Sequence, residues 1–209
     1  MMRFCVFMAG ESPELVEMCV RTIRYHHRMA NICHMTDEKT MPLGMCDETW
    51  RLPWDGDRNS ALLLRMNHLA RLDDEPTVIL DSDTLVCGSL ASMFDNKFDI
   101  ALTKRDKPKT PYNFGVMFSR KGAFWSALRD RFQVLPVERA WMNEQVALRD
   151  EARSGNWNVL ELPCSEWNAS NMKEEGYDKA KVRHYKGGRK ELMTEHFWHN
   201  DWQPQLETA

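Results

Sequence analysis

The sequence predicts a single α/β domain, residues 1–209, built on a mainly parallel sheet, and three observations carry that expectation. Short apolar runs rich in β-branched residues alternate with amphipathic segments in the order βαβ…αβ. A chain of 209 residues, 43% hydrophobic and 28% charged, suits one domain with a sizeable core. The apolar run Thr77-Val78-Ile79-Leu80 stops abruptly on Asp81 and Asp83. Ligands of open α/β sheets sit at such strand ends.

Residues 3–9 read as a first buried strand ended by Gly10. Ser12 as N-cap and Pro13 at the first helical position open a helix. Leu15, Met18, Cys19, Thr22 and Ile23 recur at helical spacing to about His26. Residues 31–35 form a second strand, ending at Thr36-Asp37, and 41–57 read as a Pro/Gly-interrupted loop holding Trp50 and Trp54. Leu63, Met66, Asn67, Leu69 and Ala70 place a helix over 60–72, and 78–80 is the central strand. Beyond it come a short helix at 89–94, strands at 99–103 and 113–119, helices at 121–132 and 142–152, and a late strand at 159–162. A polar stretch follows at 165–175, and the tail from 191 shows no clear period.

The net charge of -3 and pI near 6.2 provide no global basic field for nucleic acid. The six cysteines form no CxxC pair, so a zinc knuckle or redox motif is unsupported. Several lie in apolar runs, where a thiol behaves as a small hydrophobe, and free thiols point to a reducing cytoplasm. The apolar start at 4–9 is too short to span a membrane and lacks a signal-peptide context.

Asp81 and Asp83 lie two residues apart, so in extended chain they point to one side. Two converging carboxylates repel unless a cation lies between them, and hard divalent metals prefer oxygen ligands. The plainer reading is a pair of turn-capping Asp residues. Downstream lies His184-Tyr185-Lys186-Gly187-Gly188-Arg189-Lys190. A neutral imidazole makes a suitable third ligand for Mn2+, the Gly-Gly pair permits close backbone approach to a phosphate, and Lys190 adds positive charge. His196 and His199 are spaced to share a helix face but lack a glutamate partner of the HExxH type. The tryptophans read as core, with Trp167 and Trp198 as candidates for stacking on a sugar or base.

Taken together, these residues resemble glycosyltransferase family 8 and its glycogenin-like relatives. The resemblance rests on Val78-Ile79-Leu80-Asp81-Ser82-Asp83-Thr84-Leu85-Val86, on Asn113-Phe114-Gly115-Val116, on Glu144-Gln145 opening a helix, and on HxxGxxK at His184, Gly187 and Lys190, in the family's order. It implies the GT-A fold, a Rossmann-like nucleotide-diphospho-sugar transferase domain. It implies Mn2+ or Mg2+ held by Asp81, Asp83 and His184 and bridging the phosphates of a nucleotide-sugar donor, a UDP-sugar by the family's habit. Gly187 and Lys190 would bind the diphosphate, with Ser82 beside Asp81 among the donor-binding residues. Ala9, Gly10, Thr36 and Asp37 would face the nucleoside, and Arg65 the diphosphate or ribose. Asn113 and Gln145 would lie near the transferred sugar or the acceptor.

The family also implies retention at the anomeric carbon. No obvious carboxylate nucleophile presents itself, although Glu144 and Asp150 are near enough to consider, so front-face displacement is favoured. Three departures stand out: Glu191 replaces a common Pro, Glu144 replaces the usual Asp, and the C-terminal acceptor-binding extension of many members is reduced or absent. The acceptor stays open among a glycan, a protein, a small molecule and a modified nucleobase. Two other readings remain: a nucleotidyltransferase that makes nucleotide-sugars, and a non-catalytic nucleotide-sugar-binding module on the same fold. Against the first, the turn after the first strand, Ala9-Gly10-Glu11-Ser12-Pro13, is acidic and has one glycine.

Overall fold

The computed structural model describes residues 1–10, 13–57, 60–135, 140–170, 172 and 176–200. The proposed Ser12 N-cap, Glu11 and Trp202 lie outside them. The central sheet is built from β1 (Arg3–Phe7), β2 (Asn31–Asp37), β3 (Glu48–Leu52), β4 (Thr77–Asp81), β6 (Ile100–Lys104), β7 (Tyr112–Ser119) and β8 (Val159–Pro163). Their order is β3-β2-β1-β4-β7-β6-β8. Among these strands β7 runs against the rest, pairing antiparallel with both β4 and β6. The other pairings are parallel. β5 (Thr84–Val86) and β9 (Val182–His184) form a separate antiparallel ribbon.

The sheet is covered on both faces, which explains why its inner strands are apolar throughout rather than alternating. On β4, Val78 and Leu80 enter one core with Phe4 and Val6, while Ile79 enters the other with Cys5, Cys33 and Met117. This is the two-residue side-chain period of a strand buried on both sides. α1 (Pro13–His26) packs its Val16, Cys19, Val20 and Ile23 face into the first core, next to α6 (Lys190–His199). α2 (Ser60–Leu69), α3 (Gly122–Gln133) and α4 (Ala140–Ala152) cover the other face. Gly122 starts α3 against the turn that follows α2, since a Cβ there would lie 2.9 Å from the Leu72 carbonyl carbon.

Three elements differ from the sequence reading. Part of the expected loop at 41–57 is the edge strand β3, and the start of the unperiodic tail is α6. β4 ends at Asp81, and Ser82-Asp83 form a turn into β5. The two carboxylates are therefore brought together by a turn rather than by extended alternation.

Candidate metal centre

β4 delivers Asp81 to the carboxyl edge of the sheet, level with Phe7 of β1. The chain turns there, and Thr84 Oγ1 donates to the Asp81 carbonyl at 2.8 Å. The β5–β9 register then pairs Thr84 with His184, and the Tyr185 N–H donates to the Asp83 carbonyl at 2.8 Å. A ribbon only three residues long thus bridges a wide sequence separation and sets an imidazole beside the two acids. His184 Nε2 lies 3.0 Å from Asp83 Oδ1 and 3.5 Å from Asp81 Oδ2. One ligand atom from each of Asp81, Asp83 and His184 falls within 4.8 Å of the others. Two carboxylate oxygens and an imidazole nitrogen suit Mn2+, and the two oxygens suit Mg2+. The residues fit a divalent ion.

The surroundings hold these groups in place. Arg65 is buried on α2, contrary to the ordinary expectation of a surface helix charge. Its Nη1 pairs with Asp81 Oδ1 at 2.8 Å and with Glu144 Oε1 at 3.4 Å, and its Nη2 donates to the Phe114 carbonyl at 3.1 Å. The guanidinium lies over the Phe114 ring at 4.5 Å. Burial alone would raise the Asp81 pKa, but Arg65, then His184 and Lys186, outweigh it and hold the carboxyl below its usual range. Glu144 goes the other way: burial pushes it up to about 7, with Arg65 opposing and Asp81 assisting. Among the described residues its Oε1 has no hydrogen bond of good geometry.

The structure brings Asp81, Asp83, His184, Arg65 and Glu144 into one cluster, with Ser82 in the turn between the acids. Asn113 turns its Oδ1 back onto the Gly115 N–H at 3.0 Å, where the β6–β7 register slips at Leu102/Thr103. The Gln145 Oε1 accepts from Arg105, which also donates to the Thr110 and Tyr112 carbonyls at 2.8 and 3.0 Å. Gly187 (φ +60) and Gly188 are exposed, with no atom of the described residues beyond their chain neighbours within 4 Å of where a Cβ would sit, and Lys190 starts α6. A loop so placed leaves room for a phosphate.

At the ends of β1 and β2, Gly10, Pro13, Asp37, Lys39, Thr40, Met41, Trp54 and Gly56 line a cleft of about 330 Å³. Trp54 closes tightly over Gly10, whose φ of +67 and missing Cβ permit the contact. The Asp37 carboxylate accepts from the Lys39, Thr40 and Gly10 N–H groups at 2.6, 2.9 and 3.0 Å, and also from the Thr40 hydroxyl. It therefore shapes the cleft wall. Ala9 directly precedes Gly10 in the chain, and Thr36 is buried, its carbonyl accepting from His68 Nε2 at 2.8 Å.

Several residues at the site had no role assigned from the sequence. Gly115 lies against the triad: a Cβ would overlap the His184 ring and come within 2.9 Å of Asp81 Oδ2. Lys186, two residues past His184, puts its positive charge on Asp81 and Asp83. Its signal was a lysine inside the HxxGxxK motif. Asn168 accepts from the His184 ring, and nothing in the sequence marked it. Of the two stacking candidates, Trp167 is core, edge-on to Phe118 at 5.5 Å, while Trp198 is exposed on α6. His196 bonds the Tyr185 hydroxyl at 2.9 Å.

No protein-family model matches the chain, and no curated protein matches it in sequence. Solved structures do match in shape. The glycosyltransferase GlyE of Streptococcus pneumoniae TIGR4 superposes with a TM-score of 0.70 at 15% identity over 96% of this chain. The chain spans 61% of that structure's length. A galactosyltransferase, LgtC, in complex with donor and acceptor sugar analogues, gives 0.66 at 12% identity, covering 98% of both chains. A glycosyltransferase involved in glycosylation of the major capsid of PBCV-1 gives 0.66 at 12% identity, covering 94% of this chain and 98% of its own. At these identities the likeness establishes the fold alone: the chain has the GT-A fold.

Proposed function

We propose that the chain is a metal-dependent glycosyltransferase of the family 8 kind, moving a sugar from a UDP-sugar to an acceptor hydroxyl with retention of anomeric configuration. The observation that carries this reading is the convergence of Asp81, Asp83 and His184 at the carboxyl end of β4 within a GT-A fold. In this reading those side chains hold Mn2+ or Mg2+. A bound divalent ion neutralises charge on the two phosphates of the donor.

The chain's own groups supply the rest. The cleft beside Trp54 takes the nucleoside, with Gly10 and Asp37 fixing its wall. Backbone N–H groups at Gly187 and the Lys190 ammonium face the diphosphate, where negative charge grows as the glycosidic C–O bond breaks. Lys186 adds a second cation to that field. Arg65 holds Asp81 ionised and oriented. Asn113 and Gln145 position the transferred sugar against the acceptor. The acceptor oxygen forms its bond on the face the diphosphate leaves, and its proton passes to the departing phosphate oxygen. The buried Glu144 then needs no covalent role; it sets the position of Arg65.

Calorimetric titration of UDP with and without Mn2+, on the wild type and on Asp83→Ala, tests this. Mn2+-dependent UDP binding that disappears in the variant is the expected result. Equal UDP binding in both proteins removes the metal reading. Release of pyrophosphate from a sugar phosphate and UTP points instead to nucleotidyl transfer, and inverted product removes the front-face mechanism.

A further inference from the structure

We infer that Asn168 is the positioning residue for the metal-facing imidazole, at the head of a buried relay that fixes which nitrogen of His184 carries the proton. The inference rests on the metal reading above. Asn168 lies just past the short helix α5 (Cys164–Trp167) and is completely buried. Its backbone N–H donates to the Cys164 carbonyl at 2.9 Å. The next residue clamps β9: the Ala169 N–H donates to the Val182 carbonyl at 2.9 Å, and the His184 N–H donates to the Ala169 carbonyl at 2.8 Å. Trp167, on the other side, is anchored in the core against Phe118.

The polarity of the relay follows from its far end. The buried Thr103 hydroxyl lies 3.3 Å from the carbonyl oxygens of Asn113 and Val116, which can only accept, so its proton is directed at them. Its lone pair then accepts from Asn168 Nδ2 at 2.9 Å. The amide so oriented presents Oδ1 to His184 Nδ1 at 2.9 Å, and Nδ1 must donate. In the neutral ring, the form that can ligate a metal, the Nε2 lone pair is then left facing Asp81 and Asp83. An imidazole whose other nitrogen donates to an outer acceptor is fixed in tautomer and ring angle, and is a better ligand for it. The bulge that brings Thr103 opposite Asn113 therefore supports the metal-facing imidazole, although it supplies none of the three ligand side chains.

The test compares Mn2+ affinity, read by loss of the free-ion electron paramagnetic resonance signal, in the wild type, Asn168→Asp, Asn168→Leu and Thr103→Val. Asn168→Leu removes the acceptor and is expected to weaken Mn2+ binding about 10- to 100-fold. Asn168→Asp keeps an acceptor for Nδ1 and is expected to stay within a few-fold of the wild type. If Asn168→Leu does not fold, Thr103→Val, which frees the amide to turn, is expected to weaken binding several-fold. Wild-type affinity in Asn168→Leu or, failing that, in Thr103→Val overturns the inference, as does an Asn168→Asp loss equal to that of Asn168→Leu. A second readout is independent of the ion: in 15N-histidine spectra of the metal-free protein with a neutral ring, His184 should carry its proton on Nδ1, and a proton on Nε2 overturns the relay. Wild-type protein that fails to bind Mn2+ refutes the metal reading itself, whereas Mn2+ binding that ignores Asn168 and Thr103 refutes only the inference.

Discussion

Arg65 sits between two acids of opposite behaviour, and the distances decide which it serves. It is 2.8 Å from Asp81 and 3.4 Å from Glu144. Asp81 is held ionised, while burial takes Glu144 up to about 7. A carboxyl whose folded pKa is raised holds more protons folded than unfolded between its ordinary value of 4.5 and about 7, so stability falls as pH rises through that window. Glu144→Gln should match the wild type below that window and exceed it by about 1–3 kcal/mol at pH 8. Urea denaturation at both ends of the window checks this, and equal stability at pH 8 contradicts it. Gly115 makes a second residue-scale case. A methyl there overlaps the His184 ring and crowds Asp81. Gly115→Ala should cost about 1–3 kcal/mol of stability and abolish Mn2+-dependent UDP binding while the protein stays folded, as circular dichroism and calorimetry would report.

The ribbon of β5 and β9 is the element on which the site depends, and a buried hydroxyl on α1 helps to anchor it. Thr22 on α1 accepts from the Val86 N–H at 3.0 Å and donates to the Cys19 carbonyl at 2.8 Å. Thr22→Val keeps the shape but leaves a buried N–H without a partner, an expected loss of about 1–3 kcal/mol. The same change should speed hydrogen exchange at Val86 and His184 more than on β1 or β4; uniform exchange would detach the ribbon from α1. The ribbon also shows what the sequence hides. β1, β4 and β7 were legible because each is an apolar run buried on both faces. β3 is half-buried along its length, with Trp50 between Arg3 and Arg71, so it carries no alternation to read. β5 has three residues, too few for any period, and exists through pairing with a strand distant in sequence. α6 buries only Met193 and Phe197, one turn apart, which left its start unreadable. Asp81, Asp83 and His184 were readable as chemistry, but the turn and ribbon that unite them, and Asn168 behind them, depend on contacts between distant segments.

At the scale of the molecule, buried histidines set how the fold responds to acid. His68 on α2 is fully buried, and burial, its largest influence, takes it from 6.5 down to about 4 despite the bond to the Thr36 carbonyl. His27, half-buried after α1, is likewise lowered to about 4 by burial, with His26 adding to the shift, and its Nε2 accepts from the Leu90 N–H. His26 and His34 are lowered too, again mainly by burial. For each, the unfolded chain binds the proton near 6.5 and the folded chain only at lower pH, near 4 for His68 and His27. Between those values the unfolded state holds more protons, so stability is full above pH 6.5 and is lost as pH falls. For His68 alone the loss is on the order of 3 kcal/mol by pH 4. Glu144 pulls the opposite way as pH rises toward about 7. Two strongly shifted histidines against one glutamate put the wild-type stability maximum near pH 6.5–7 rather than at the pI near 6.2. In guanidinium melts at pH 7.5 and 4.5, His68→Gln should narrow the stability difference between the two conditions by about 2–3 kcal/mol. Glu144→Gln should widen it and move the maximum to higher pH. If both variants keep the wild-type difference, the acid response lies elsewhere, in the carboxylates that pair with arginines across the sheet edge.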